Sequence, residues 1–462
     1  MSLQTGELFN RGLTKVRDLK IHGCDELMSS LKNDGRLLQQ LTSLGSLEIE
    51  DNSRLVEELG KEAEELQILE CRIECLALKK CKNLFKIPKG LNQLSSLQKL
   101  RIHKCSRLVS FPDVGLPPSL KDIEITSCDS LIYFAKFHIP QNLRRIEIRE
   151  CKSLKSLVDE EAVGSSSSSS SQSCLEYLNI EGCESLTSLS LSGQLLRTLK
   201  HLQIKDYDQP ELITEDGFFH DNTNYCLEYI KIWNCQNLKC LPDGLCHLNN
   251  LQELHIYICR SLVSFPRLSG GTRPSNLREI EITDCEKLEA LPEDMHNLNS
   301  LEYLSIDYRE GLTFPPNLTS LVIWKVKSCK SLWELEWGLH RLTSLRELWI
   351  IGEDPDTVSF PPDMVRIETP LPKSLTLLKI EGFPNLKKLS SKGFQFLTSL
   401  QYLQLSDCPK LASIPEEGLP PSLAQLWIYE CPVLKERCQP GKGRYWHKIS
   451  HIPKIEIDWQ SI

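Results

Sequence analysis

The sequence predicts an α/β repeat solenoid, and three observations carry that prediction. First, Leu251 to Pro266 reads L-Q-E-L-H-I-Y-I-C-R-S-L-V-S-F-P, with Leu251, Leu254, Ile256, Cys259, Leu262 and Phe265 apolar. Neither a helical nor a strand period explains that spacing over its whole length, whereas L-x-x-L-x-I-x-x-C-x-x-L is the pattern of a leucine-rich repeat. Second, the pattern recurs about seventeen times at intervals of roughly 20 to 32 residues, as this repeat class requires. Third, one repeat position is held by Cys24, Cys81, Cys105, Cys128, Cys151, Cys183, Cys235, Cys259, Cys285, Cys329, Cys408 and Cys431. The expected architecture is a horseshoe with a parallel concave β-sheet and a mostly irregular convex side.

Within a repeat, Leu254 and Ile256 alternate with His255 and Tyr257, which predicts a short strand with one face buried. Cys259 then turns the chain inward, and Leu262 and Phe265 are expected to fill the core behind the strand. The repeated cysteines are expected to form a column of small, buried, reduced thiols rather than disulfides.

The repeats are taken in chain order. The first is Val16, Leu19, Ile21 and Cys24; the second is Leu44, Leu47 and Ile49, with Asn52 at the cysteine position. The acidic stretch Glu57 to Glu65 has helical character and reads as a solvated face. Strand anchors then follow at Leu76/Leu78, Leu100/Ile102, Ile123/Ile125, Ile146/Ile148 and Leu178/Ile180. The insertion 163–173 holds an unbroken serine run, Ser165 to Ser171, and is expected to be a disordered loop. Leu202/Ile204 is irregular, with Tyr207 in place of cysteine. Ile230/Ile232, Leu254/Ile256, Ile280/Ile282 and Leu304/Ile306 continue the series. Leu321, Trp324, Val326 and Cys329 read as a degenerate repeat; Leu348/Ile350, Leu378/Ile380, Leu403/Leu405 and Leu426/Ile428 complete the array. Connectors of the form G-L-P-P-S-L, at Gly115 to Leu120 and Gly418 to Leu423, exclude a helix and favour an extended convex side. The solenoid is assigned to residues 1–434 and a C-terminal cap to 435–462, where Ile455-Glu456-Ile457 is expected to pair as a last strand and close the sheet edge. Met1 begins just before a repeat with little that resembles a cap, so the chain reads as the C-terminal part of something longer.

Composition narrows the function. The chain has 462 residues, 40% hydrophobic and 25% charged, with a net charge of -8. That acidic balance argues against a nucleic-acid partner, which favours a basic footprint. The first twenty residues lack the apolar segment of a signal peptide, and no apolar run approaches membrane-spanning length. With the reduced cysteines, these features predict a cytoplasmic protein.

The strand pattern, the connectors and above all the chain's ending resemble one family. Cys431-Pro432, Leu434-Lys435-Glu436-Arg437-Cys438, Gly443, Trp446, Lys448-Ile449-Ser450-His451-Ile452-Pro453 and Ile455-Glu456-Ile457 are similar to the terminal signature of plant coiled-coil nucleotide-binding leucine-rich-repeat disease-resistance proteins. The resemblance covers essentially the whole chain. It implies an intracellular immune receptor whose repeats recognise a pathogen effector, or a host protein that the effector alters, and which hold a nucleotide-binding domain at rest. No G-x-x-x-x-G-K-[ST] phosphate loop is present, since Gly441-Lys442-Gly443 lacks the loop. ADP or ATP would therefore bind a domain absent from this chain, and no cofactor is expected here. A leucine-rich-repeat scaffold or ubiquitin-ligase substrate adaptor is the alternative; an F-box before the first repeat would favour it, a phosphate-loop domain the receptor.

No catalytic or metal constellation stands out. Cys71, Cys75 and Cys81, or Cys240, Cys246 and His247, lack paired zinc-ligand spacing. With eleven histidines, a Cys/His nucleophile pair can be drawn almost anywhere and signifies nothing, so no enzyme is expected. The outward strand positions carry more information. They include Tyr229, Lys231, Trp233, His255 and Tyr257 near the middle of the chain, and Arg101, His103, Arg149, Trp349, Trp427 and Tyr429 elsewhere. Tyr177, Tyr303 and Tyr402 add further aromatics. Exposed aromatic and arginine side chains are the types that make interface hot spots, although aromatics also stabilise neighbouring strands. Lys231, Trp233, His255 and Tyr257 are expected to stand side by side as the centre of a protein-binding face.

Overall fold

A computed structural model describes residues 15–23, 43–52, 56, 72–87, 91–92, 94–111, 116–135, 141–158, 174–186, 198–207, 226–241, 245, 248–265, 276–289, 295, 298–307, 314–328, 331–334, 338–363 and 367–462. Chain contacts divide it into two compact units, Met1–Leu238 and Lys239–Ile462. Both are parallel-sheet solenoids with few helices among the described residues. Cys24, Cys71, Cys246, His247, Cys329, the acidic stretch and the serine run lie outside the described residues.

In the first unit the main sheet is built from β1 (Asp18–His22), β2 (Ser46–Glu50), β3 (Cys75–Lys79), β4 (Lys99–His103) and β5 (Asp122–Thr126). β6 (Tyr133–Ala135) and β8 (Ser156–Val158) form a small second ladder. β7 (Arg145–Arg149), β9 (Tyr177–Glu181), β10 (His201–Lys205) and β11 (Tyr229–Trp233) complete the main sheet. In the second unit the order is β12 (Glu253–Tyr257), β13 (Glu279–Thr283), β14 (Tyr303–Asp307), β15 (Ser320–Val326) and β16 (Glu347–Gly352). β17 (Ser359–Phe360) pairs with β19 (Lys388–Leu389) away from the main sheet. β18 (Leu377–Glu381), β20 (Tyr402–Ser406), β21 (Gln425–Tyr429) and β22 (Lys454–Ile457) continue the parallel ladder, and β23 (Gln460–Ser461) folds back antiparallel on β22.

The register between neighbours joins apolar anchor to apolar anchor. Leu76 lies beside Leu100 and Leu78 beside Ile102, while Leu254 lies beside Ile280 and Ile256 beside Ile282. These anchors are buried to 0–2% exposure, and the alternate residues form the open face. A one-residue slip would turn every anchor outward, so burial itself specifies the register.

The residue after most strands has positive φ, as at Lys80 (53°), Lys104 (55°), Ser127 (54°), Asp407 (47°) and Glu430 (50°). Its amide still reaches the next strand: Lys80 N–H donates to the His103 carbonyl at 2.8 Å and Asp407 N–H to that of Tyr429 at 3.1 Å. The left-handed step swings the following residue inward, and that residue is the cysteine. The Cys128, Cys259 and Cys408 thiols donate to carbonyls two residues back, those of Thr126, Tyr257 and Ser406, at 3.6, 3.5 and 3.3 Å. Three residues on, a leucine amide closes the turn on the cysteine carbonyl, as from Leu108 to Cys105 at 3.1 Å. Asn52 and Tyr207 fill the same position and are buried, with the Tyr207 hydroxyl donating to the Leu186 carbonyl.

Two sequence expectations change. Phe265 is half-buried rather than a core residue, unlike its counterpart Phe111. In the degenerate repeat, the anchors are Leu321 and Ile323, paired with Leu304 and Ile306. Trp324 therefore stands half-buried on the open face, and Val326, fully buried after the left-handed Lys325, takes the cysteine position expected for Cys329. The misreading arose because Val322, Ile323 and Trp324 are successive apolar residues and give no alternation to follow. A related adjustment follows β18, where Phe383 occupies the cysteine position fully buried. Its ring fits because Gly352 presents no Cβ, and one built there would overlap the ring.

The C-terminal segment packs against the last repeat. Helix Pro432–Arg437 follows Cys431, and helix Trp446–Ile449 precedes β22. Arg437 donates to the Ala412 carbonyl at 2.7 Å, and Lys435 pairs with Asp458 at 2.5 Å. Ile455 and Ile457 align with Leu426 and Ile428, so the expected closing strand forms and covers the open edge of β21.

Two outcomes test this packing. Thiol labelling of the native protein should spare Cys105, Cys128 and Cys285, each at 0% exposure, and modify the exposed Cys174 and Cys240; rapid labelling of the first three overturns the buried column. Gly352→Ala should lower stability in urea melts by about 1–3 kcal/mol through overpacking against Phe383, and a neutral result would mean that ring has room to move.

Candidate interaction surface

The open faces of the two units differ in chemistry. In the first unit charges of opposite sign share adjacent strands. Glu48 lies 3.4 Å from Lys20 and 3.0 Å from Lys79. The Lys79 hydrogen bond holds the Glu48 carboxyl below its ordinary range. Arg101 pairs with Glu124 at 3.3 Å. Arg149 faces three carboxylates: Glu147 at 2.8 Å, Glu181 at 3.5 Å and Glu124 at 4.0 Å. Glu147, only 7% exposed, is also paired with Arg145. Both arginines singled out from the sequence are thus tied into the sheet's own charge lattice. His103 is half-buried on the same face.

Toward the end of this unit the face becomes aromatic. The Arg145 guanidinium lies 3.7 Å over the Tyr177 ring, whose hydroxyl burial pushes up in pKa. Tyr177, His201 and Tyr229 occupy one row, with centroids 6.2 and 5.7 Å apart. Lys231 holds its ammonium 5.0 Å over the ring of Trp233, which is 38% exposed.

His255 and Tyr257 belong to the second unit, and Lys231 and Trp233 to the first. The His255 side chain is only 12% exposed although it stands on the open face. Glu279 lies 3.2 Å from its Nε2, and Glu253 3.8 Å; Glu281 is 3.7 Å and the Tyr257 hydroxyl 3.2 Å from Nδ1. Further along, aromatic and cationic side chains form one continuous row. The Trp324 and Trp349 centroids are 5.4 Å apart. The Lys379 ammonium lies 4.6 Å from the Trp349 ring and 6.0 Å from that of Tyr402. Tyr402 meets Trp427 edge to face at 4.9 Å, and Trp427 meets Tyr429 at 6.0 Å. Tyr429 stacks on Trp459 at 5.2 Å, and Trp459 is 69% exposed. The Tyr429 hydroxyl donates to Glu456 at 2.7 Å, and burial followed by that bond raises its pKa. Burial pushes the Tyr402 hydroxyl up to about 12. Trp349, Trp427 and Tyr429 were legible candidates. Trp324, Lys379 and Trp459 were not, and aligning the outward positions strand by strand would have put Lys379 beside Trp349.

A parallel ladder of L-x-I strands, each closed by an inward cysteine or its substitute, defines a leucine-rich-repeat protein. Its repeats are similar to those of plant disease-resistance proteins. The family described as plant disease resistance protein RPS2-like, leucine-rich repeats, matches residues 160–285. An Arabidopsis thaliana protein named as a disease resistance protein, At3g14460, is 38% identical over 146 residues, 31% of this chain and 10% of that protein. The TMV resistance protein N of Nicotiana glutinosa is 27% identical over 261 residues, 55% of this chain and 19% of that one. The chain thus aligns with only a fraction of either relative's length. Among solved structures, TLR13 in its complex with ssRNA13 is similar at 17% identity and a TM-score of 0.49, over 96% of this chain and 62% of that one. Among the described residues, no helix is long and apolar enough to cross a membrane.

The charge lattice yields a direct test. Arg149→Ala removes the guanidinium that Glu181, Glu147 and Glu124 share, leaving the buried Glu147 to Arg145 and Glu124 to Arg101, and should cost about 1–3 kcal/mol in urea melts, below the full penalty of a broken buried pair. Arg101→Ala, on a half-exposed side chain, should stay within about 0.5 kcal/mol. Equal losses would show that burial does not grade these pairs.

Proposed function

We propose that this chain is the protein-recognition region of an intracellular, cytoplasmic plant immune receptor. It binds a pathogen effector, or a host protein that an effector has altered, and it restrains the receptor's nucleotide-binding domain. ADP or ATP occupies that domain and not these repeats. Repeats of this kind serve as recognition scaffolds, and this chain is read as having no catalytic role.

The observation that carries the reading is the row from Trp324 to Trp459 on the open face of the second unit. It crosses the ladder from β15 to β22, a span on the order of 25 Å at the usual strand spacing. That suits a macromolecular partner better than a metabolite. Rigid aromatic rings offer apolar area at low entropy cost, and Lys379 among them attracts acidic groups. The repeats' similarity to plant disease-resistance proteins supplies the biological setting.

The test is a Trp349→Ala/Trp459→Ala double variant of the complete receptor, first shown to melt like the parent. Effector-triggered cell death is expected to be lost, with silence maintained when no effector is present. Spontaneous death would assign the row to restraint rather than recognition, and an unchanged response would overturn its role altogether.

A further inference from the structure

We propose that β12 and β13 carry a binding site for a divalent transition-metal ion, formed by Glu253, His255 and Glu279. One oxygen of each carboxylate and one imidazole nitrogen lie within 4.8 Å of one another. Ligands at about 2.0–2.2 Å from a common ion stand roughly 3–4 Å apart. The separations of 3.2 and 3.8 Å from His255 Nε2 to Glu279 and Glu253 already lie in that range.

Charge supplies the second and independent reason. On the open face of the first unit carboxylates meet lysine or arginine, as Glu48 and Glu147 do. Glu253, Glu279 and Glu281 instead converge on one imidazole. Even fully protonated, His255 cancels one of those three charges. A dication cancels two, and it does so with His255 neutral.

The imidazole is also placed as metal-bound histidines are. Its Nδ1 faces the Tyr257 hydroxyl at 3.2 Å and Glu281 at 3.7 Å. An Nδ1–H donated to the Tyr257 hydroxyl oxygen presents Nε2 to the ion, and such an outer partner orients the ring of a metal-bound histidine. A nitrogen ligand selects first-row transition ions over magnesium or calcium. The site owes nothing to the receptor reading and stands or falls separately.

Mn²⁺ is the suitable probe, because the exposed thiols of Cys174 and Cys240 would compete for softer ions. The full chain, stripped of metal at pH 7.5, is titrated while electron paramagnetic resonance follows the free Mn²⁺ signal. One equivalent should bind, and a tenfold excess of Mg²⁺ should not displace it. His255→Ala and Glu279→Gln should each weaken binding at least tenfold, while Glu124→Gln on the first unit should leave it unchanged. Should His255→Ala melt early, the isosteric Glu253→Gln/Glu279→Gln double variant takes its place with the same expected loss. Equal binding by the wild type and the folded variant overturns the site, as does easy displacement by Mg²⁺ or no uptake up to millimolar Mn²⁺.

Discussion

The anchor-to-anchor register of the parallel ladder is the constraint on which everything else depends. Leu76 beside Leu100 and Leu254 beside Ile280 bury both side chains, and a slip by one residue would expose both. With the register set, the left-handed residue after the strand and the inward cysteine follow from geometry. A β-branched residue is even tolerated at the left-handed position, where Ile258 has φ 57°. Left-handed backbone costs a residue with a Cβ roughly 1–2 kcal/mol. The ladder on either side evidently outweighs it.

The same register determines which polar groups meet. Row neighbours on adjacent strands come into contact whether or not they suit one another, so the open face is a set of short lateral series. In the first unit these alternate in sign and neutralise themselves around Arg149. In the second unit they concentrate aromatic rings at one end and carboxylates at the other, around His255. The two units thus present open faces of different chemistry on strands of the same pattern.

Most strands were legible because Leu-x-Ile alternation, followed three residues later by cysteine, has no competing explanation. Leu100, Ile102 and Cys105 show it without ambiguity, and all three are buried. β15 resisted because its run of apolar residues carries no period, so Trp324 passed for an anchor. Phe265 passed for a core residue because the counterpart pattern at Phe111 is buried and composition does not distinguish them. The open face was read one strand at a time, and that is why the pairing of Arg101 and Arg149 with acids, and of Lys379 with Trp349, went unseen. Those contacts exist only across strands.

The separation of anchors from outward residues has an evolutionary consequence. A substitution at an outward position changes what the surface displays without disturbing the apolar pair beneath it, so this face can be rewritten one residue at a time. That freedom is uneven. Where a side chain serves several neighbours at once, as Arg149 does, a lone replacement disturbs every pairing it shared, and matched changes cost less. Trp459, at the row's end and 69% exposed, stacks on the Tyr429 ring and carries no such obligation to three neighbours. New specificities should therefore arise sooner along the aromatic row than within the charge lattice, although both rest on the same strands.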